Sequence, residues 1–254
     1  MAQVFSPTSN TLARIGVFAL FTGPVMLLLV GSAITRSSFN TNVDVPIAQP
    51  VPFSHEHHAI ELGIDCRYCH NSVENAPNPG LPTSQVCMSC HSQIWTDSPL
   101  IKPVRDSFRE DKPIVWNQVN WVPRFVYFPH DIHIARGISC NDCHGPIQKM
   151  MITEKGKAFF MVFCLNCHRK PEQFLSPKTF VWQLYRDIQR FGNKVDTEHG
   201  LNDKSRNGLT PREYALAEGE YRENQGESLK EGMLLKKEYH IHSSLLTNCS
   251  VCHH

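Results

Sequence analysis

The sequence predicts a mostly α-helical and irregular fold behind one N-terminal transmembrane helix. Three observations carry this reading. An uncharged stretch runs from Ile15 to Thr35, between Arg14 and Arg36. Five copies of Cys-x-x-Cys-His punctuate the rest of the chain and consume all 10 cysteines. The remainder is rich in proline (17 of 254 residues) and has a mean hydropathy of −0.30. That composition suits loops and short helices rather than a large aliphatic core. The formal net charge of +1 lacks the basic excess of a nucleic-acid binder.

Residues 1–36 are predicted to form a membrane anchor, with the transmembrane helix at about 15–35. The 21 uncharged residues would span about 31 Å as a helix, the thickness of a bilayer core. They include Leu27-Leu28-Leu29-Val30, and Gly23-Pro24 predicts a mid-span kink. Gly31 and Ala33 resemble the small residues before a signal-peptidase site, so a cleaved signal is the alternative. The stretch is longer than a usual signal core, which favours a retained anchor. The flanking arginines are balanced and set no orientation.

The five motifs are Cys66-x-x-Cys69-His70, Cys87-x-x-Cys90-His91, Cys140-x-x-Cys143-His144, Cys164-x-x-Cys167-His168 and Cys249-x-x-Cys252-His253. Each reads as a c-type haem attachment site. Two thiols add to the haem vinyl groups, and the following histidine becomes the proximal iron ligand. Zinc does not require a histidine directly after each cysteine pair, and disulfides would not explain five such histidines. The expected cofactors are therefore five haem c, and the expected fold is a multihaem cytochrome c with a thin protein wrapper. Attachment of c-type haem takes place outside the bacterial cytoplasmic membrane. Residues 37–254 are accordingly expected to be a periplasmic pentahaem domain, with the N-terminus cytoplasmic.

An internal repeat organises that domain. Phe53-Ser-His55-Glu-His-His58 precedes Gly63-Ile64-Asp65-Cys66, and Phe128-Pro-His130-Asp-Ile-His133 precedes Gly137-Ile138-Ser139-Cys140. A second motif follows 21 residues on in the first copy and 24 in the second. The chain reads as a duplicated two-haem unit, repeat one at 53–91 and repeat two at 128–168, with a fifth haem at 249–253. Between the copies, 92–127 is a linker whose Trp95, Trp116 and Trp121 are expected to cover haem faces. Residues 169–248 form a long insertion. Its polar part, 202–240, reads as a solvated helix with loops or as a docking element.

Nine histidines remain beyond the proximal five. His55, His58, His130 and His133 are the expected distal ligands. The repeat resembles the two-haem units of class III cytochromes. That resemblance implies that the first histidine of each pair serves the haem that follows, His55 for haem one and His130 for haem three. The second reaches a neighbouring haem, left open for His58 and His133. His57 is a spare, because its counterpart is Ile132. His199 reads as solvated, and His254 as too close to a proximal ligand to serve. One iron is left without a distal histidine. Met150 or Met161 is favoured for it, since a thioether raises haem potential, with His240 and His242 competing.

Several stretches resemble the pentahaem cytochrome subunit of bacterial Alternative Complex III. They are Pro52 to His70 with its Leu62-Gly63-Ile64-Asp65 approach, Cys87 to Trp95, Phe125-Val126-Tyr127-Phe128, Cys164 to Glu172, and Leu246-Thr247-Asn248-Cys249. The likeness covers the anchor, roughly 50–172 and the last motif, and is poor over 173–240. It implies a non-catalytic redox subunit that relays electrons from membrane quinol toward a periplasmic acceptor in a respiratory chain. The implied partners are a large iron–sulfur subunit, polytopic quinol-binding membrane subunits and a monohaem cytochrome c. Two rivals remain. One is a stand-alone membrane-anchored quinol dehydrogenase feeding a periplasmic reductase. The other is a multihaem reductase, which would need an open iron coordination position.

Overall fold

The computed structural model describes residues 6–178, 181–182 and 226–253. The chain divides into two units, Met1–Val43 and Asp44–His254. In the first, α1 runs from Pro7 to Arg36 over 30 residues and is followed by the single turn α2, Ser38–Thr41. The helix begins before the uncharged stretch, because Pro7 at its first turn needs no backbone N–H partner there. Pro24 lies inside the continuous helix. Within Thr8–Arg36 an 18-residue window has a mean hydropathy of 2.2, with none of its residues buried. It is long and apolar enough to cross a membrane, a property that anchors share with signal segments.

The second unit is built from short helices. A π-helical turn, Glu56–Glu61, precedes α3 (Cys66–Cys69) and α4 (Ser84–His91). Next come α5 (Lys102–Glu110), α6 (His130–Ala135), α7 (Cys140–His144) and α8 (Met161–Arg169). After residues outside the description come α9 (Gly226–Glu238) and α10 (Ser243–Leu246). A 3-10 turn at Cys249–Val251 carries the last motif. Among the described residues there is no strand, only an isolated antiparallel bridge between Pro46 and Glu154.

Local chemistry starts these helices. Asp65, Ser139 and Asn248 each stand directly before the first cysteine of a motif. Their side chains accept from the backbone N–H of Arg67 (2.9 Å), Asn141 (3.2 Å) and Ser250 (3.4 Å). Such caps satisfy an otherwise orphaned donor. At Ser139 the cap is reciprocal, with Asp142 accepting from the Ser139 N–H at 2.9 Å.

Three small apolar clusters replace a single core. Val51, Ile101 and Val104, with Cys87, Met88 and Trp116 against them, seat α5 on α4. Val73, Val181 and Trp182 pack with Cys66 and Ile134 and so join the two repeats. Ile138, Leu175, Leu235 and Tyr239 seat α9 on the segment 171–176. There the helix approaches closely: a Cβ on Gly232 would lie 1.8 Å from the Glu172 carbonyl. Lys236 Nζ bonds Glu172 Oε2 at 2.7 Å, and the Tyr239 hydroxyl donates to the Ser176 carbonyl at 3.3 Å.

Two expectations about connecting segments are refined. The 92–127 stretch holds α5, and of its tryptophans Trp116 packs while Trp95 is exposed. The described part of 202–240 is a helix with one face packed, because Leu235 and Tyr239 interrupt an otherwise polar sequence. Residues 202–225, His199 and His254 lie outside the described residues.

Candidate haem-binding sites

Each repeat opens with a phenylalanine that orders both histidines behind it. Phe53 meets the His55 ring edge-on (5.0 Å, 88°) and stacks on His58 (4.4 Å, 25°). Phe128 does the same to His130 (4.8 Å, 89°) and His133 (4.3 Å, 30°). The two histidines of a pair are thus turned apart by one aromatic wedge. The following Gly63 and Gly137 take φ of 76° and 75°, a left-handed conformation that glycine adopts at no steric cost. At Gly137 a Cβ would also strike the Ser176 carbonyl at 1.8 Å.

The ring nitrogens follow one rule. Nδ1–H donates to a backbone carbonyl in His58 (Ser54, 2.8 Å), His70 (Gly80, 2.8 Å), His91 (Ile94, 3.1 Å) and His130 (Pro77, 2.9 Å). It does so again in His133 (Pro129, 2.7 Å), His168 (Leu246, 3.0 Å) and His253 (Phe125, 3.0 Å). His55 Nδ1 lies 3.2 Å from Thr153 Oγ1. A carbonyl only accepts, so the proton sits on Nδ1 and the neutral ring presents Nε2 as a ligand. This is the outer arrangement that fixes a metal-binding imidazole. Burial pulls His55 and His144 down to about 4, and lowers His58, His130 and His133 as well. All five are neutral near pH 7, as ligation requires.

Rings of the two His-x-x-His pairs face rings of the Cys-x-x-Cys-His motifs. His130 and His144 are 6.3 Å apart between centroids with planes 6° apart. His133 and His168 are 6.2 Å apart at 19°, and His58 and His91 are 6.3 Å apart at 57°. Two metal–nitrogen bonds of about 2 Å each, added to the ring half-widths, fill such a gap. The donor set and its spacing therefore fit an iron held between two imidazoles. For His55, burial first and the nearby His70 second make the protonated ring unfavourable.

No disulfide joins the ten cysteines, and burial pushes Cys66, Cys69, Cys87, Cys143 and Cys164 up from the ordinary thiol range. Among the described residues, no three or more His, Cys, Asp or Glu side chains gather as a metal cluster. Each motif instead sets its thiols and its histidine on one short turn.

The other histidines and methionines fall elsewhere. His57 is paired with Glu61 at 2.6 Å. Met150 is buried, and its carbonyl accepts from the His55 N–H at 3.0 Å. Met161 is exposed at the start of α8. His240 and His242 are exposed, and His242 stands just before α10, which packs on α8. The phenylalanine wedge escaped the sequence reading as a functional element, although Phe53 and Phe128 head both copies of the repeat.

Paired imidazoles behind Cys-x-x-Cys-His turns are the arrangement that c-type haem attachment requires. Residues 126–196 match the family described as cytochrome c7 and related cytochrome c. The chain is also similar to the menaquinone reductase multihaem cytochrome c subunit of Nitratidesulfovibrio vulgaris Hildenborough. Identity is 33% over 97 residues, covering 38% of this chain and 45% of that relative. The chain thus spans less than half the length of the curated relative it matches.

Proposed function

We propose that this chain is the multihaem electron-transfer subunit of a membrane quinol oxidoreductase of the Alternative Complex III type. The observation that carries the reading is the facing of histidine rings at 6.2–6.3 Å. Ligands on both sides leave an iron no open position, which suits electron transfer and not substrate turnover. The similarity to a menaquinone reductase cytochrome subunit supports a role beside a quinone-linked membrane complex.

Five haems are held covalently by Cys66 and Cys69, Cys87 and Cys90, Cys140 and Cys143, Cys164 and Cys167, and Cys249 and Cys252. His70, His91, His144, His168 and His253 are the proximal ligands. His55 serves the first site, His58 the second, His130 the third and His133 the fourth. The fifth distal ligand is one of Met150, Met161, His240 and His242. A bound haem supplies one-electron exchange between ferric and ferrous iron. The protein holds the ligands in one tautomer, keeps them dry and neutral, and fixes their orientation. Helix α1 remains as the anchor, and residues 37–254 lie on the periplasmic side. The partners are a large iron–sulfur subunit, polytopic quinol-binding subunits and a monohaem cytochrome c.

The test is gentle detergent extraction, purification through this chain, and mass spectrometry of the intact chain and its companions. The expected result is a mass increase of five haems and co-purification of those partners. Recovery with a soluble periplasmic reductase alone would overturn the Alternative Complex III assignment in favour of a stand-alone quinol dehydrogenase. A far-red iron–sulfur charge-transfer band in the oxidised protein marks methionine at the fifth site, and its absence marks histidine.

A further inference from the structure

We infer that the five attachment sites form one unbranched string in the order second, first, third, fourth, fifth, with the second and fifth sites as its ends. This rests on the haem reading above and departs from the order of the motifs along the chain. Hydrogen bonds between motifs trace the string. The second and first sites are tied by the Tyr68 hydroxyl and Ser89 Oγ at 2.7 Å, each inside its own Cys-x-x-Cys.

The first and third sites share one loop. Gly80 holds the proximal His70 through its carbonyl at 2.8 Å, and Pro77, three residues earlier, holds the third site's His130 at 2.9 Å. The contact is reciprocal. His55 donates its backbone N–H to the Met150 carbonyl at 3.0 Å, and its ring meets Thr153 at 3.2 Å, both just past the third motif. The third and fourth sites share one helical turn, since His130 faces His144 and His133 faces His168. The fourth and fifth are joined where His168 donates to the Leu246 carbonyl at 3.0 Å, three residues before Cys249.

The join between the repeats is therefore between their leading sites, not between the end of one and the start of the next. The second site, attached through half-buried Cys87 and exposed Cys90, becomes a terminus for exchange with a partner, and so does the fifth.

The test is the location of the five irons in the holoprotein by anomalous X-ray scattering. Four short iron–iron separations are expected, joining second to first, first to third, third to fourth and fourth to fifth. A short separation between second and third, or any site with three near neighbours, overturns the string. Haem content of the same sample, measured by pyridine haemochrome, reads the underlying assignment separately. Fewer than five haems would fault that assignment, whereas five haems in another order would fault only the string.

Discussion

The two repeats use one device at two pitches. In both, the second histidine donates to the carbonyl four residues earlier, Ser54 for His58 and Pro129 for His133. In both, the isoleucine after the glycine returns its N–H to that histidine's carbonyl, Ile64 to His58 (3.0 Å) and Ile138 to His133 (3.1 Å). Yet the first copy carries one more residue between the second histidine and the glycine: His58 to Gly63, against His133 to Gly137. The extra residue is absorbed by widening the turn. Leu62 N–H reaches the His57 carbonyl at 3.0 Å, five residues back, and Glu56–Glu61 is π-helical where His130–Ala135 is α-helical. A one-residue insertion that keeps both ends of a motif in place is what a π-bulge does, and such bulges favour functional sites. The ring planes differ in step, 57° at the second site against 19° at the fourth.

Four experiments break or sharpen this comparison. The largest effect is expected from removing both thiols of the third site, Cys140→Ala with Cys143→Ala. One haem should be lost from the mass, and the Nε2 atoms of His130 and His144 would be left without their metal. Retention of five haems would mean that the third motif is not an attachment site.

Next come the wedges. Phe128→Ala and Phe53→Ala remove a half-buried ring from two histidines each, at an expected cost of about 2 kcal/mol. The cost should be similar in the two copies, read as matched falls in Tm. A large effect in one copy alone would show that the wedge is not a shared device.

Third, deletion of Leu62 should convert the π turn to an α turn. Electron paramagnetic resonance of the oxidised protein reports the angle between axial imidazole planes, and a steep angle raises the largest g value. The highest-g component should fall toward that of the near-parallel sites. An unchanged spectrum would separate the bulge from the 57° angle.

The smallest effect concerns Lys155, which is buried with its ammonium 5.6 Å from the Trp121 ring and 5.5 Å from the Phe159 ring. Phe159 stands edge-on to His144 at 6.3 Å. A cation there disfavours the more positive ferric state, so Lys155→Gln should lower the third site's midpoint potential by on the order of 50 mV. The first repeat's sites should move less. Equal shifts at every site would point to a general rather than a local field.

Much of the site was legible from the residues alone. Cys-x-x-Cys-His needs only local geometry: two thiols and an imidazole on one turn, with a cap such as Asp65 or Ser139 to start it. The apolar stretch needs only its length. The Phe-x-His-x-x-His repeat pointed to its paired histidines because one turn of helix places residues three apart on a common side. Other features were not legible because they depend on where the chain returns. The loop that joins His70 to His130 through Gly80 and Pro77 is set by folding. Polar sequence at 226–238 gave no sign that Leu235 would be buried or that Lys236 would bond Glu172 at 2.7 Å.

By itself, then, the sequence determined where the five Cys-x-x-Cys-His motifs stand and that two pairs of histidines accompany them. Attachment and one-turn spacing are local properties, set by covalent reach and helix pitch. Only the tertiary structure decided which ring faces which, at what angle, and which motifs are bonded to one another. Those depend on contacts between residues 50 to 100 positions apart, such as His130 with Pro77 and His55 with Thr153, and no local pattern encodes where a chain comes back to meet itself.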